Sequence, residues 1–400
     1  MRSSTRAPRS WHAVGVTLTI LLTAAVLRSP IVAVAPVARE VQDDLAVTAG
    51  TVGLLTSIPV LAFAVCAPLA VALIRRCGAD LALTIALAGS VAGCLVRSLG
   101  GLTAAMVGTA MIGLFLTVGN VVVPIIIKRE YPPARVPFMT GVYTSAINVG
   151  TMVVTLATAP LAAATDWRVA LAVWGGFGLA ALATWIGTHG LRALAPAPAP
   201  QAADADGAAR SAAWAPTTWF LAVAFAGQAF AFYATTAWLP SLLMDDGMPA
   251  AQAGAVASVF QLAGIAGALG IPLLAHRTSL ATSAIVLGVA WLAIPLGFLF
   301  SPGAWLMWCV VGGLAQGAGI TWVFIMLNAL GGDDRAVAGR SGTVQAVGYA
   351  GGASGPIVLG MLHESTGSWA APLLVLLAAV LALLVAGWAS ARPLSRAAAR

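Results

Sequence analysis

The sequence predicts an all-α membrane protein of twelve transmembrane helices, arranged as two parallel six-helix repeats with both termini cytoplasmic. Three observations carry this reading. Of 400 residues, 60% are hydrophobic and 8% charged, whereas soluble domains carry about 25% charged residues. Twelve apolar segments reach the length of roughly 20 residues that a bilayer-crossing helix needs. The basic residues collect on one side of those segments, as they do in cytoplasmic loops.

Segment one, 14–37, follows Arg2, Arg6 and Arg9. A charged start before an apolar run also describes a secretory signal. This run is too long for one, and Arg28 and two prolines interrupt its far end, so it reads as a retained helix ending near Pro36. Segment two, 50–74, opens at Ala49-Gly50 and stops at Arg75-Arg76, and Cys77 lies in the short basic loop before segment three, 80–98. Segments four to six, 102–127, 138–162 and 168–187, follow through short connections. Residues 188–217 are rich in alanine and proline with two aspartates, and read as a flexible cytoplasmic linker. The linker separates a bundle at 1–187 from a second at 218–400, whose segments are 218–243, 252–275, 279–300, 304–329, 341–362 and 369–389.

With the N-terminus inside, sixteen basic residues are cytoplasmic and only Arg39, Arg97 and Arg168 are external; Arg28 is within the membrane. The halves resemble each other. Pro36 pairs with Pro240, Ala49-Gly50 with Ala253-Gly254, and Pro68 with Pro272, all 204 residues apart, while Gly141 and Gly150 pair with Gly342 and Gly351 at 201. The net charge of +7 does not point to nucleic acid, because the basic residues sit in short loops between apolar runs. Four cysteines show no metal-binding or disulfide spacing.

Arg28 stands in "VLRSPIVAVAP", 26–36, as the only charge in its run. A central arginine costs about 2.5–3.5 kcal/mol to insert. None of the thirteen acids lies near the centre of a segment to pair with it. Guanidinium keeps its proton and offers a planar fork of donors, so an anion-binding role follows. The alternative is a brace bonded to carbonyls freed by Pro30 or Pro36. Other polar residues at depth are candidate substrate-binding groups: Asn120, Tyr143, Thr144, Asn148, Tyr233, Gln261, Trp322, Gln345 and Tyr349, with Gln228 beside them. Helix-to-helix hydrogen bonding is the alternative for each. By the repeat, Asn148 corresponds to Tyr349, Thr144 to Gln345, and Arg28 to Phe232. That one-sided charge suits a small, singly charged or polar ligand.

"GYAGGASG", 348–355, has no following lysine and reads as a small-residue packing face rather than a phosphate loop. No nucleophilic triad, metal cluster or Walker motif is present, so neither an enzyme nor a metal or other cofactor is expected.

"GLLTSIPVLAFAVCAP" (53–68), "GNVVVPIIIKREYP" (119–132), "GVYT" (141–144), "DWRVAL" (166–171), "FYATTAWLPSLLMDDG" (232–247) and "SGTVQAVGYAGGASGPIVLGMLHESTGSW" (341–369) together resemble the cyanate and 2-nitroimidazole transporter family of major facilitators. The resemblance spans nearly the whole chain. It implies the major facilitator fold, a site between the halves, and transport of a small anion or small polar heterocycle across a bacterial inner membrane by a monomer. The family's Arg-Pro in helix one reads Arg28-Ser29-Pro30 here, and the facilitator aspartate expected before Arg75-Arg76 is absent from "ALIRRCGAD". Two other readings stay open: a proton-coupled exporter of small drugs, and a transporter-like receptor signalling through the linker. For proton coupling the available groups are His363 and Glu364, at the outer end of segment eleven.

Overall fold

Proline positions decide how the first segment folds. Pro30 lacks an N–H and its ring clashes with the carbonyl four residues earlier, which belongs to Val26. Helix α1, Arg9–Val26, stops there. Pro36 does the same to Val32, where the four-residue α2, Ser29–Val32, ends. A 3₁₀ turn at Ala35–Val37 follows, and then α3, Ala38–Leu45. The single helix expected over 14–37 is therefore two helices and a 3₁₀ turn, with α3 beyond it, and Arg28 sits in the first break.

The computed structural model describes residues 9–132, 135–197, 214–330 and 334–398. Arg2, Arg6, Asp204, Asp206, Arg210, Asp333, Arg400 and linker residues 198–213 lie outside the described residues. Among the described residues all regular structure is helical. In chain order follow α4 (Ala49–Val65), α5 (Ala67–Ser98), α6 (Leu102–Glu130), α7 (Val136–Ala164), α8 (Trp167–Val173), α9 (Gly175–His189), α10 (Pro216–Asp245), α11 (Ala250–Arg277), α12 (Leu280–Trp291), α13 (Ala293–Phe300), α14 (Trp305–Ala329), α15 (Asp334–Thr366) and α16 (Ala370–Ala398).

Two of the expected boundaries move. Segment two bends at Cys66, just before Pro68, and its second part forms the first part of α5. The chain turns at Gly78, inside the expected loop, with φ of 82° and ψ of 165° that only glycine adopts without strain. Cys77 is consequently half-buried, its thiol donating to the Leu73 carbonyl at 2.9 Å, rather than lying in an open loop. Pro272, the counterpart of Pro68, remains inside the continuous α11. Segment nine is split where Pro295 disrupts the turn above Trp291.

Ten described helical stretches are long and apolar enough to cross a membrane, and α4 is a shorter apolar helix of 17 residues. α15 has 33 residues but includes Arg335, Arg340, His363 and Glu364 and is less apolar. The two sets of helices meet along α4 with α15 and along α7 with α11. The internal likeness has a packing counterpart. Gly150 lies against Ala25, where an added Cβ would come 2.7 Å from the Ala25 Cα, and Gly351 lies against Ala226 in the same way at 3.1 Å. Each member of the second pair stands 201 residues after its counterpart in the first.

Candidate functional site

The α1–α2 break turns the Arg28 side chain towards α10. The guanidinium carbon is 5.0 Å from the Phe232 ring centre and 5.7 Å from that of Tyr233. Phe225, Gln228, Gln316, Ile320 and Tyr349 complete the walls of a cavity of about 20 Å³, room for roughly one water molecule. Phe232 is the residue that the internal repeat pairs with Arg28.

The chain has only four tyrosines. Three of them, Tyr143 from α7, Tyr233 from α10 and Tyr349 from α15, lie within electrostatic reach of Arg28. The Tyr233 hydroxyl is buried without a hydrogen-bond partner among the described residues. Tyr349 meets Phe63 and Phe225 edge-on, each at 5.4 Å between ring centres. The glycine-rich stretch positions these tyrosines: Gly348 lies on Phe225, Gly352 on Ala229 and Tyr233, and Gly355 on Ala234. Its small residues therefore serve close packing of α15 on α10. Among the described residues Arg28 takes part in no ion pair.

Arg97 departs from the sequence expectation. Read as external, at the end of segment three, it is fully buried, with 0% exposure. Its Nη1 donates to the Pro30 carbonyl at 2.5 Å, while Nε and Nη2 are buried without partners. Gly93 and Gly108 let α5 and α6 approach closely here, and Gly108 lies directly on the Arg97 backbone. Arg97 thus braces the α1–α2 break at the Pro30 carbonyl. Position misled the sequence reading, because arginines within a residue or two of a span's end are ordinarily solvated. The facing glycines were the available signal.

The remaining candidates scatter. Asn120 is half-buried, one residue from Gly119, which abuts Leu27. Asn148 Nδ2 donates to the Thr144 carbonyl at 3.3 Å, and Thr144 is exposed. Gln345 Nε2 donates to Ser341 Oγ at 2.7 Å. Gln261 is buried and donates to Thr236 Oγ1 at 3.2 Å. Trp322 lies away from the cavity, fully buried with its indole donating to the Leu280 carbonyl at 3.1 Å. Gln228 joins helices as well as lining the cavity: Nε2 donates to the Gln316 carbonyl at 3.0 Å and Oε1 accepts from Trp291 at 2.7 Å.

A second polar cavity, about 280 Å³, lies at the end of the bundle reached by α3 and α10. Arg39 there pairs with Asp245 and donates to the Ser241 carbonyl. Asp245 Oδ2 also accepts from Trp369 at 2.7 Å and stands 3.5 Å from His363 Nε2. His363 stacks on Trp369 at 4.0 Å, whereas Glu364 is exposed.

Comparison with known proteins agrees with this architecture. The family model described as Major Facilitator Superfamily matches residues 16–336. The chain is 31% identical over 378 residues to an uncharacterized transporter, YycB, of Bacillus subtilis (strain 168), covering 92% of this chain and 90% of that protein. It is also 31% identical over 369 residues to the 2-nitroimidazole transporter of Escherichia coli (strain K12), covering 92% of each. Among solved structures, a bacterial homolog of the human lysosomal transporter Spinster, inward-facing and unoccupied, superposes with TM-score 0.74 at 17% identity, over 98% of this chain and 99% of that one. The nucleoside transporter NupG superposes with TM-score 0.74 at 13% identity, over 94% and 99%.

Proposed function

The chain belongs to the major facilitator superfamily and is a multi-pass membrane transporter, not an enzyme; within that family we propose that it carries a small anion, or a small polar heterocycle such as a nitroimidazole, with Arg28 as the binding cation. The observation that carries this reading is the convergence of three of four tyrosines on an arginine with no acidic partner among the described residues. A guanidinium between aromatic faces binds a planar anion through its fork while the rings stack on it. An unpartnered buried phenol adds a donor, since leaving it unbonded costs about 1–3 kcal/mol. Identity to the 2-nitroimidazole transporter supports the size and planarity of the cargo.

The reading has twelve spans in two bundles, 1–187 and 218–400, with both termini on the cytoplasmic side of a bacterial inner membrane and a monomer as the working unit. The halves rock about the Arg28 site, exposing it to each side in turn. His363 beside Asp245 favours a second reading in which a proton enters at the outer end. Glu364, exposed and turned to no such partner, contributes less to it.

The test is counterflow of labelled cyanate and of labelled 2-nitroimidazole in proteoliposomes. Uptake against unlabelled internal substrate by the wild type, lost in Arg28→Ala that inserts normally, is the expected result. Full counterflow by Arg28→Ala would remove Arg28 from the site. Tight binding without counterflow would mark a receptor.

A further inference from the structure

At the opposite end of the bundle from the Arg39–Asp245 pair, three helix ends bring together residues that the sequence keeps far apart. His12 comes from the start of α1, Glu130 from the last residue of α6, and His189 from the last residue of α9. We propose that His12, Glu130 and His189 form a binding site for a divalent transition-metal ion of the zinc class, tying these three helices together.

The geometry is close to that of a metal site. His12 Nε2 stands 3.4 Å from Glu130 Oε2. Two ligands bonded at about 2.0–2.1 Å in a tetrahedron are separated by roughly 3.4 Å. His189 Nε2 is 3.9 Å from the other carboxylate oxygen, and one ligand atom from each residue lies within 4.8 Å of the rest. An adjustment of about 1 Å at His189 closes the set around ions of this size.

His189 itself points to a ligand. Its side chain is 7% exposed, and both ring nitrogens are buried without a hydrogen-bond partner among the described residues. An imidazole cut off from water ordinarily bonds through at least one nitrogen. Coordination satisfies Nε2.

The surroundings hold the donors in place. Trp185 packs against the His189 ring at 3.7 Å between ring centres, tilted by 33°, and its own indole donates to the Asp80 carbonyl. Arg129 donates to Glu130 Oε1 at 2.8 Å and pairs with Asp80 at 2.6 Å. That leaves Oε2, the oxygen beside His12, as the free donor and fixes the orientation of the carboxylate, as outer-shell partners of metal ligands do. Two imidazoles and one carboxylate suit zinc, cobalt or nickel better than magnesium or calcium, which take oxygen donors. Three protein ligands leave a fourth position for water. The alternative occupant of the space is a proton shared between His189 and Glu130.

The experiment uses the full chain in detergent, freed of any polyhistidine tag and stripped with chelator. Zinc chloride is titrated calorimetrically, and cobalt chloride is followed by its visible d–d absorption. The expected result is one ion per chain, a raised melting temperature, and the intense absorption of four-coordinate cobalt. His12→Ala and His189→Ala each weaken zinc binding at least tenfold, and His276→Ala leaves it unchanged. His12 is partly exposed, so its variant folds even where the His189 variant does not. Absence of stoichiometric zinc binding by the wild type would overturn the proposal. So would wild-type affinity in His12→Ala, or six-coordinate cobalt in the intact protein, because each means that these side chains are not the ligands.

Discussion

At Arg28 the guanidinium faces the Phe232 and Tyr233 rings and shares its cavity with Tyr349, with no carboxylate paired to it among the described residues. Two cation–π contacts, each worth about 0.5–2 kcal/mol, offset much of the insertion cost of about 2.5–3.5 kcal/mol. On the proposed reading a bound anion adds to them. Lysine keeps the charge and loses the fork. In equilibrium binding of labelled substrate, Arg28→Lys should therefore lose about tenfold or more in affinity while remaining above background. Tyr233→Phe removes only the unpartnered hydroxyl, so affinity should fall several-fold with no loss of thermal stability. A more stable Tyr233→Phe protein with unchanged affinity would mean that the hydroxyl is simply a buried cost. The candidate site was partly legible. The unpaired Arg28 and the tyrosines follow from rarity: each is an expensive or scarce polar group inside an apolar run. Trp322 and Gln261 looked equivalent in sequence, yet the Trp322 indole and the Gln261 Nε2 donate within the helix packing, and no spacing rule separates the two cases.

The α1 break illustrates what element-level physics adds. Pro30 and Pro36 fix its position by local sterics and can be read directly from sequence. Its support by Arg97 cannot, because that bond joins residues 67 apart and depends on how closely α5 meets α6. A Cβ added to Gly108 would also stand 2.6 Å from the Gly93 carbonyl, a backbone atom with little freedom to move. Gly108→Ala should therefore push the two helices apart and lower stability by about 1–3 kcal/mol, measured by thermal unfolding in detergent. Arg97→Lys retains a donor but has fewer of them. It should raise the Km for transport more than it lowers the maximal rate, since the loosened break misplaces Arg28 without removing it. The Gly78 turn, by contrast, falls inside the loop expected between segments two and three: the basic pair Arg75-Arg76 marks the loop, and glycine's access to positive φ decides where in it the chain turns.

Across the whole molecule, Arg39 joins the first set of helices to the second through Asp245. An exposed pair contributes about 0–1 kcal/mol, small for folding but enough for roughly a fivefold shift between two conformations of similar energy. With Ser241→Cys as reporter in a cysteine-free background, Asp245→Asn should speed alkylation by an impermeant maleimide up to about fivefold, and exchanging the two charges should restore the slow rate. Unchanged alkylation in Asp245→Asn would show that packing of α4 on α15 closes this end without the pair. Without an ion-pair partner among the described residues, Arg28 on the proposed anion reading has an electrical consequence as well. A carrier whose fixed positive charge is neutralised by a monovalent anion moves no net charge while loaded, whereas the empty carrier reorients with that charge uncompensated. One elementary charge crossing the full field is worth about 2.3 kcal/mol per 100 mV. Membrane voltage then bears on the empty return, so one-for-one exchange proceeds at the same pace in a polarised or depolarised cell while net flux does not.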